Sequence, residues 1–342
     1  MIVNIFTLIM LFIAVLSCTL GGYLFYATIK TLFHFKKAVP LEAKSSFEEK
    51  GYLIFLLACV ALSVRMFAWP WLYFMLQSFV SEVPGAMCIF GVTRVLPDTV
   101  TFLQIIKPIS FFIMGGWLLC YYVDKSISTS PLARKNLLFL LPICGVLLAD
   151  SIGDIYYVIR MKPLMSVSCC ATFFDTPLRP SAMIPQALFG RDFQQALFIV
   201  FYATNIILII LLFTSLSRKW QSSVSIPGNV MFYSQIVIAA VNIPIVIISF
   251  FENIGPALMQ LPLHHCIYCF MGKGIVPDAP VILGLFAIGT FAIGWMGIIR
   301  LICRNEETQP VTERLLRKVN VLSAFCFLAF IMMVTVHLIL IQ

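Results

Sequence analysis

Long apolar runs separated by short polar stretches set the pattern of this chain. Eight such runs cover roughly residues 3–33, 51–79, 102–123, 136–160, 194–216, 229–251, 280–303 and 320–341. Each reaches or exceeds the ~20 residues that a helix needs to cross hydrocarbon. Backbone amides and carbonyls find no partner in lipid, and the runs are too long and continuous for barrel strands, so they must be helices. The pattern predicts an all-α, polytopic integral membrane protein with eight transmembrane helices, one membrane domain over residues 1–342. The first run starts without basic residues and continues through Gly21 and Gly22, which predicts an uncleaved membrane helix and not a signal peptide.

The polar connections carry the orientation. Those at 34–50, 124–135, 217–228 and 300–319 hold fourteen lysines and arginines, and those at 80–101, 161–193 and 252–279 hold five. The positive-inside bias places the first set in the cytoplasm and both termini outside, as in a multi-pass protein of the cell inner (cytoplasmic) membrane. The three remaining connections are then outer loops of up to about thirty residues, long enough to need a purpose beyond joining helices.

Composition agrees with the pattern. The chain is 61% hydrophobic and 11% charged with a mean hydropathy of +1.00, which excludes an ordinary soluble domain. The net charge of +8 is accounted for by the basic inner loops, and no lysine- or arginine-rich run interleaved with aromatics points to nucleic acid. No phosphate-cradling glycine loop occurs, so no nucleotide is expected. The expected partners are the lipid bilayer and other membrane or periplasmic subunits.

Three charged residues fall well inside the predicted spans, Arg65, Asp150 and Asp154; Lys107 and Arg160 read as helix-end residues, and every other charge fits a loop or a helix end. Arg65 lies about 21 Å up its helix and Asp150 at a similar height on another, at ~1.5 Å per residue. Asp154 follows one turn later on the same face. A lone charge is costly at that depth, so Arg65 and Asp150 should pair. Two readings stay open: a clasp between helices, or a proton path with Asp154 as the surplus carboxylate and Tyr156 and Tyr157 beyond it. Pro70, Pro142 and Pro244 are expected to kink their helices.

The cysteines carry the remaining chemistry. Six of the eleven (Cys18, Cys59, Cys120, Cys144, Cys303 and Cys326) lie in or at the ends of spans and read as small packing residues. The other five occupy the three outer loops: Cys88 in the first, Cys169 and Cys170 in the second, Cys266 and Cys269 in the third, where His264 and His265 immediately precede Cys266. The first and third loops share a short pattern: Cys88-Ile-Phe-Gly leads to Pro97-Asp98, and Cys269-Phe-Met-Gly leads to Pro277-Asp278.

Two chemistries suit this set. Cys266 and Cys269 form a Cys-x-x-Cys pair that can cycle between dithiol and disulfide, with a histidine to favour the thiolate. Membrane oxidoreductases of the disulfide-bond-forming and vitamin-K-epoxide-reductase types use such a pair near a quinone. This chain resembles them in that arrangement alone, because eight spans are unlike their four-helix core. The second chemistry is a copper, zinc or iron centre ligated by Cys266, Cys269 and His264 or His265, with Cys88, Cys169 or Cys170. Haem attachment needs Cys-x-x-Cys-His, and Phe270 follows Cys269. Structural disulfides stapling the outer loops are the third expectation, since that compartment lets them persist. The leading expectation is a membrane-complex subunit with an extracytoplasmic Cys/His centre that handles a soft metal or electrons.

Overall fold

A computed structural model describes residues 4–35, 42–127, 129–162, 166–168, 170–176, 179–216, 228–272 and 275–341. Every regular element among them is helical. Eight segments are long and apolar enough to cross a membrane: Ile5–Phe33, Gly51–Ser78, Pro97–Lys125, Ala133–Arg160, Phe193–Leu216, Val230–Leu258, Ala279–Ile302 and Gln309–Leu340. The chain is a multi-pass helical membrane protein.

The first segment belongs to α1 (Ile5–Phe35) and the second to α2 (Glu42–Met66) and α3 (Ala68–Ser78). The break between α2 and α3 has a covalent cause. Pro70 has no amide hydrogen to give the Met66 carbonyl, and α2 ends at Met66. Pro142 and Pro244, by contrast, lie inside uninterrupted helices, α6 (Ala133–Arg160) and α10 (Gly228–Ser249). The short α4 (Ile89–Thr93) and the long α5 (Pro97–Lys125) precede α6. Next come α7 (Ala171–Phe174), α8 (Pro180–Phe189) and α9 (Phe193–Leu216). A π-turn at Phe250–Ile254 continues α10 into α11 (Gly255–Leu258); α12 (Ile267–Phe270), α13 (Ala279–Ile302) and α14 (Gln309–Ile341) complete the chain.

The chain divides into two units. The first comprises Met1–Ala86, Gly91–Val167 and Ile298–Thr312. Within it α1 lies along α6 and α2, and α5 packs on α2 and α6. Gly21 permits the α1–α6 approach, because a Cβ there would meet Leu147 at 2.8 Å. Leu24, Leu62, Met114, Trp117, Leu140 and Leu147 form the core, and the Trp117 indole donates to the Asn136 carbonyl at 3.0 Å.

The second unit comprises Met87–Phe90, Ser168–Gly297 and Glu313–Gln342. Phe201, Phe250, Phe270 and Phe330 centre its core. Polar side chains tie its helices where apolar contact alone gives little preference for protein over lipid. Thr204 and Asn205 on α9 bond Asn242 on α10 at 2.8 and 2.9 Å. Ser323 on α14 donates to the Gly289 carbonyl on α13 at 2.8 Å.

Candidate metal centre

Four cysteine sulfurs converge in the second unit. Cys88, Cys170, Cys266 and Cys269 have all their Sγ atoms within 4.8 Å of one another, and Cys170 and Cys269 are 3.5 Å apart. Three of the four sit immediately before a short helix: Cys88 before Ile89, Cys170 at the start of α7 and Cys266 at the start of α12. Cys269 follows Cys266 by one helical turn, and its amide donates to the Cys266 carbonyl at 3.1 Å. The Phe90 amide donates to the Cys88 sulfur, and the Cys269 amide donates to that of Cys266.

Aromatic rings enclose the cluster. Phe90 meets Phe174 edge-on at 4.9 Å and stacks on Phe173 at 5.7 Å; Phe251 stacks on Phe174 at 5.8 Å. Cys88, Cys170 and Cys266 are buried, and Cys269 is half-buried. The cluster is therefore largely shielded from water, with one open side.

The four thiols are not equivalent. Hydrogen bonds from the Cys266 and Cys269 thiols draw Cys88 well below the usual thiol range, outweighing the opposing effect of burial. Cys269 is pushed up because its thiol hydrogen is engaged with the Cys266 and Cys88 sulfurs. Cys170 is raised chiefly by burial. Cys266 is also raised: its bond to Cys88 and its burial prevail over the lowering effect of Cys269. One thiolate stabilised by neighbouring S–H donors is the arrangement that results.

A polar layer lies behind the sulfurs. His264 places Nε2 3.9 Å from the Cys170 sulfur and Nδ1 2.9 Å from Asp175 Oδ2. Asp175 Oδ1 accepts from the His265 amide at 3.2 Å. The His265 ring is turned elsewhere, with Nδ1 2.9 Å from the Phe251 carbonyl and 4.0 Å from Glu252. Glu252 is buried in the π-turn and accepts two bonds from Arg179 Nε, at 3.0 and 2.9 Å. Arg179 Nη2 reinforces the pair. This pair ties Arg179, at the start of α8, to the π-turn.

No family model matches this chain, and comparison with curated proteins and with solved structures returns no match.

Of the residues singled out in the sequence, Cys88, Cys170, Cys266 and Cys269 meet at one point, and His264 touches them through Cys170. His265 is separate from the sulfurs. Cys169 lies outside the described residues. None of the ten described cysteines forms a disulfide, so the expected stapling of the loops has no counterpart among them.

A second buried cluster occupies the first unit. Arg65 Nε donates to Asp150 Oδ2 at 2.7 Å, and Arg65 Nη2 donates to Asp154. The pairing expected of Arg65 and Asp150 is present. Lys107 corrects the rest of that expectation. Its position near the start of a span suggested a helix end, yet it is 1% exposed inside α5, with Nζ 3.1 Å from Asp150 and 2.8 Å from Asp154. Asp154 is thus not a surplus carboxylate, and the group contains two acids and two bases. Tyr157, three residues beyond Asp154 on α6, is buried, while Tyr156 is half exposed.

Sequence reading also missed Glu252 and Arg179. A carboxylate one residue past an apolar run looks like a loop residue unless the helix is known to continue as a π-turn. The acidic residue directly after Phe250-Phe251 was the available signal.

Proposed function

We propose that the chain is the membrane subunit of a larger assembly and that Cys88, Cys170, Cys266 and Cys269 ligate one thiophilic metal ion. The convergence of four sulfurs within 4.8 Å carries this reading. A tetrahedral four-thiolate site with metal–sulfur bonds of ~2.3 Å has its sulfurs ~3.8 Å apart, so shifts of about 1 Å or less bring the four to that spacing. A soft, four-sulfur donor set selects zinc, iron or copper(I) over magnesium or calcium. Cys88 supplies the first thiolate, and the other three release protons as the ion enters. The half-buried Cys269 marks the accessible side. Asp175 orients His264 as an outer hydrogen-bonding partner of Cys170, the kind of support that tunes a ligand's basicity.

The positive-inside count places the three cysteine-bearing loops on the extracytoplasmic side. There the centre would hold a soft metal or, with iron or copper, pass electrons to a partner subunit. The Cys266/Cys269 pair acting as a thiol–disulfide exchanger with a quinone is the competing reading. Its attacking sulfur would need exposure, and Cys266 is fully buried.

Elemental analysis of the purified full chain tests the proposal, alongside thiol counting before and after a chelator. The expected result is one metal per chain, with four additional thiols reactive after chelation. A metal-free protein whose four thiols react at once, or form disulfides, would overturn it.

A further inference from the structure

The buried charge group in the first unit has more polar atoms than it can satisfy internally. Arg65 Nη1 and Asp154 Oδ1 have no protein hydrogen-bond partner, although both residues are no more than 2% exposed. Two hydroxyls on the helices that carry Lys107 and Asp154 are in the same condition. Ser110 Oγ lies three residues along α5 from Lys107, and Tyr157 OH lies three residues along α6 from Asp154. Spacing of three puts each hydroxyl on the helix face that carries the charges.

The directions of these helices separate the two hydroxyls. α5 and α6 pack together, and a seven-residue connection makes them antiparallel. Each step of three residues runs about 4.5 Å toward the C-terminal end of its own helix. Ser110 and Tyr157 therefore lie on opposite sides of the charge group along the membrane normal. A clasp that only joins helices needs neither orphaned hydroxyls nor open valences on its own charges. Buried polar atoms left open in this way are filled by ordered water.

We propose that Arg65, Lys107, Asp150 and Asp154, with Tyr157 and Ser110 on either side, form a water-bearing site that conducts protons through the first unit. The ligand is the proton, carried on water. A proton arriving on the water at Tyr157 from the solution on that side passes to the Asp154 carboxylate as the Lys107 ammonium gives one to the water at Ser110, which releases it to the solution on the other side. Asp154 then returns its proton to the Lys107 amine, restoring the starting state. One proton enters, one leaves, and no electrons move. Arg65 keeps its positive charge and Asp150 its negative charge, so the group is neutral before and after each step. Among the described residues, α1 carries no Asp, Glu, Lys, Arg or His before Lys30, and α3 carries none.

Proton flux into liposomes holding the full chain and a trapped pH dye tests this, with a potassium gradient and valinomycin supplying the driving force. Wild-type protein should admit protons at least about tenfold faster than empty liposomes, and Asp154→Asn, Tyr157→Phe and Ser110→Ala should each lower that flux by about tenfold or more. Tyr156→Phe, at the exposed neighbouring ring, should conduct as wild type. If Asp154→Asn fails to fold, the two hydroxyl deletions decide, since each removes a single oxygen atom. Wild-type flux equal to that of empty liposomes, or Tyr157→Phe conducting like wild type, would overturn the proposal.

Discussion

At the residue scale, each of the four sulfurs makes a separable contribution. Replacing Cys88 by serine removes the thiolate that the other thiols stabilise, and the remaining site has three sulfurs. Metal affinity should then fall by about a hundredfold or more, measured by competition with a chromophoric chelator. Cys144→Ser, inside α6 and outside the cluster, should leave affinity unchanged. The pH dependence follows from which thiols hold protons. Cys170, Cys266 and Cys269 are raised, so they are protonated near neutrality and must lose protons to bind metal. Affinity should therefore strengthen as pH rises from 6 to 8, with about three protons released per ion. Calorimetry in buffers of different ionisation enthalpy counts them. The cysteines were legible in the sequence because few residue types perform this chemistry. The exclusion of the His265 ring was not, since two adjacent histidines look identical until the backbone turns one toward Phe251.

Elements set the precision of the site. The short helices that present Cys88, Cys170 and Cys266 run for only four or five residues, too few to show a period, and no hydropathy reading finds them. The spanning helices were legible for the opposite reason: lipid requires long, nearly unbroken apolar runs. Legibility failed again where a span held a charge whose partner sat on a different helix, as with Lys107. The Arg179–Glu252 pair joins the start of α8 to the π-turn and so steadies the segment carrying Cys170 and Asp175. Arg179→Ala should leave the chain folded yet weaken metal binding by about tenfold, as loss of outer support does elsewhere. Equal affinity in this variant would show that Cys170 and Asp175 are positioned by other contacts. In the first unit, Arg65→Met leaves two buried carboxylates facing Lys107 alone. It should destabilise the protein by about 3–5 kcal/mol, seen as a lower unfolding temperature in detergent. Adding Asp150→Asn to Arg65→Met should recover part of that loss, because the charge balance returns.

At the scale of the whole molecule, eight apolar helices divide between two units with different polar contents. The first holds a charge group inside its helices, and the second holds four thiols in its loops. The number and class of the helices could be read from composition and run length. The meeting of cysteines 88, 170, 266 and 269, separated by as many as 181 positions, could not, because spacing says nothing about which distant loops fold together. The proposed metal centre stands on that meeting. X-ray absorption at the edge of the bound metal is its most direct test. The expected first shell is four sulfurs at ~2.3 Å with no nitrogen or oxygen. A shell dominated by nitrogen and oxygen, or a spectrum unchanged when Cys88 and Cys170 are both replaced by serine, would contradict it.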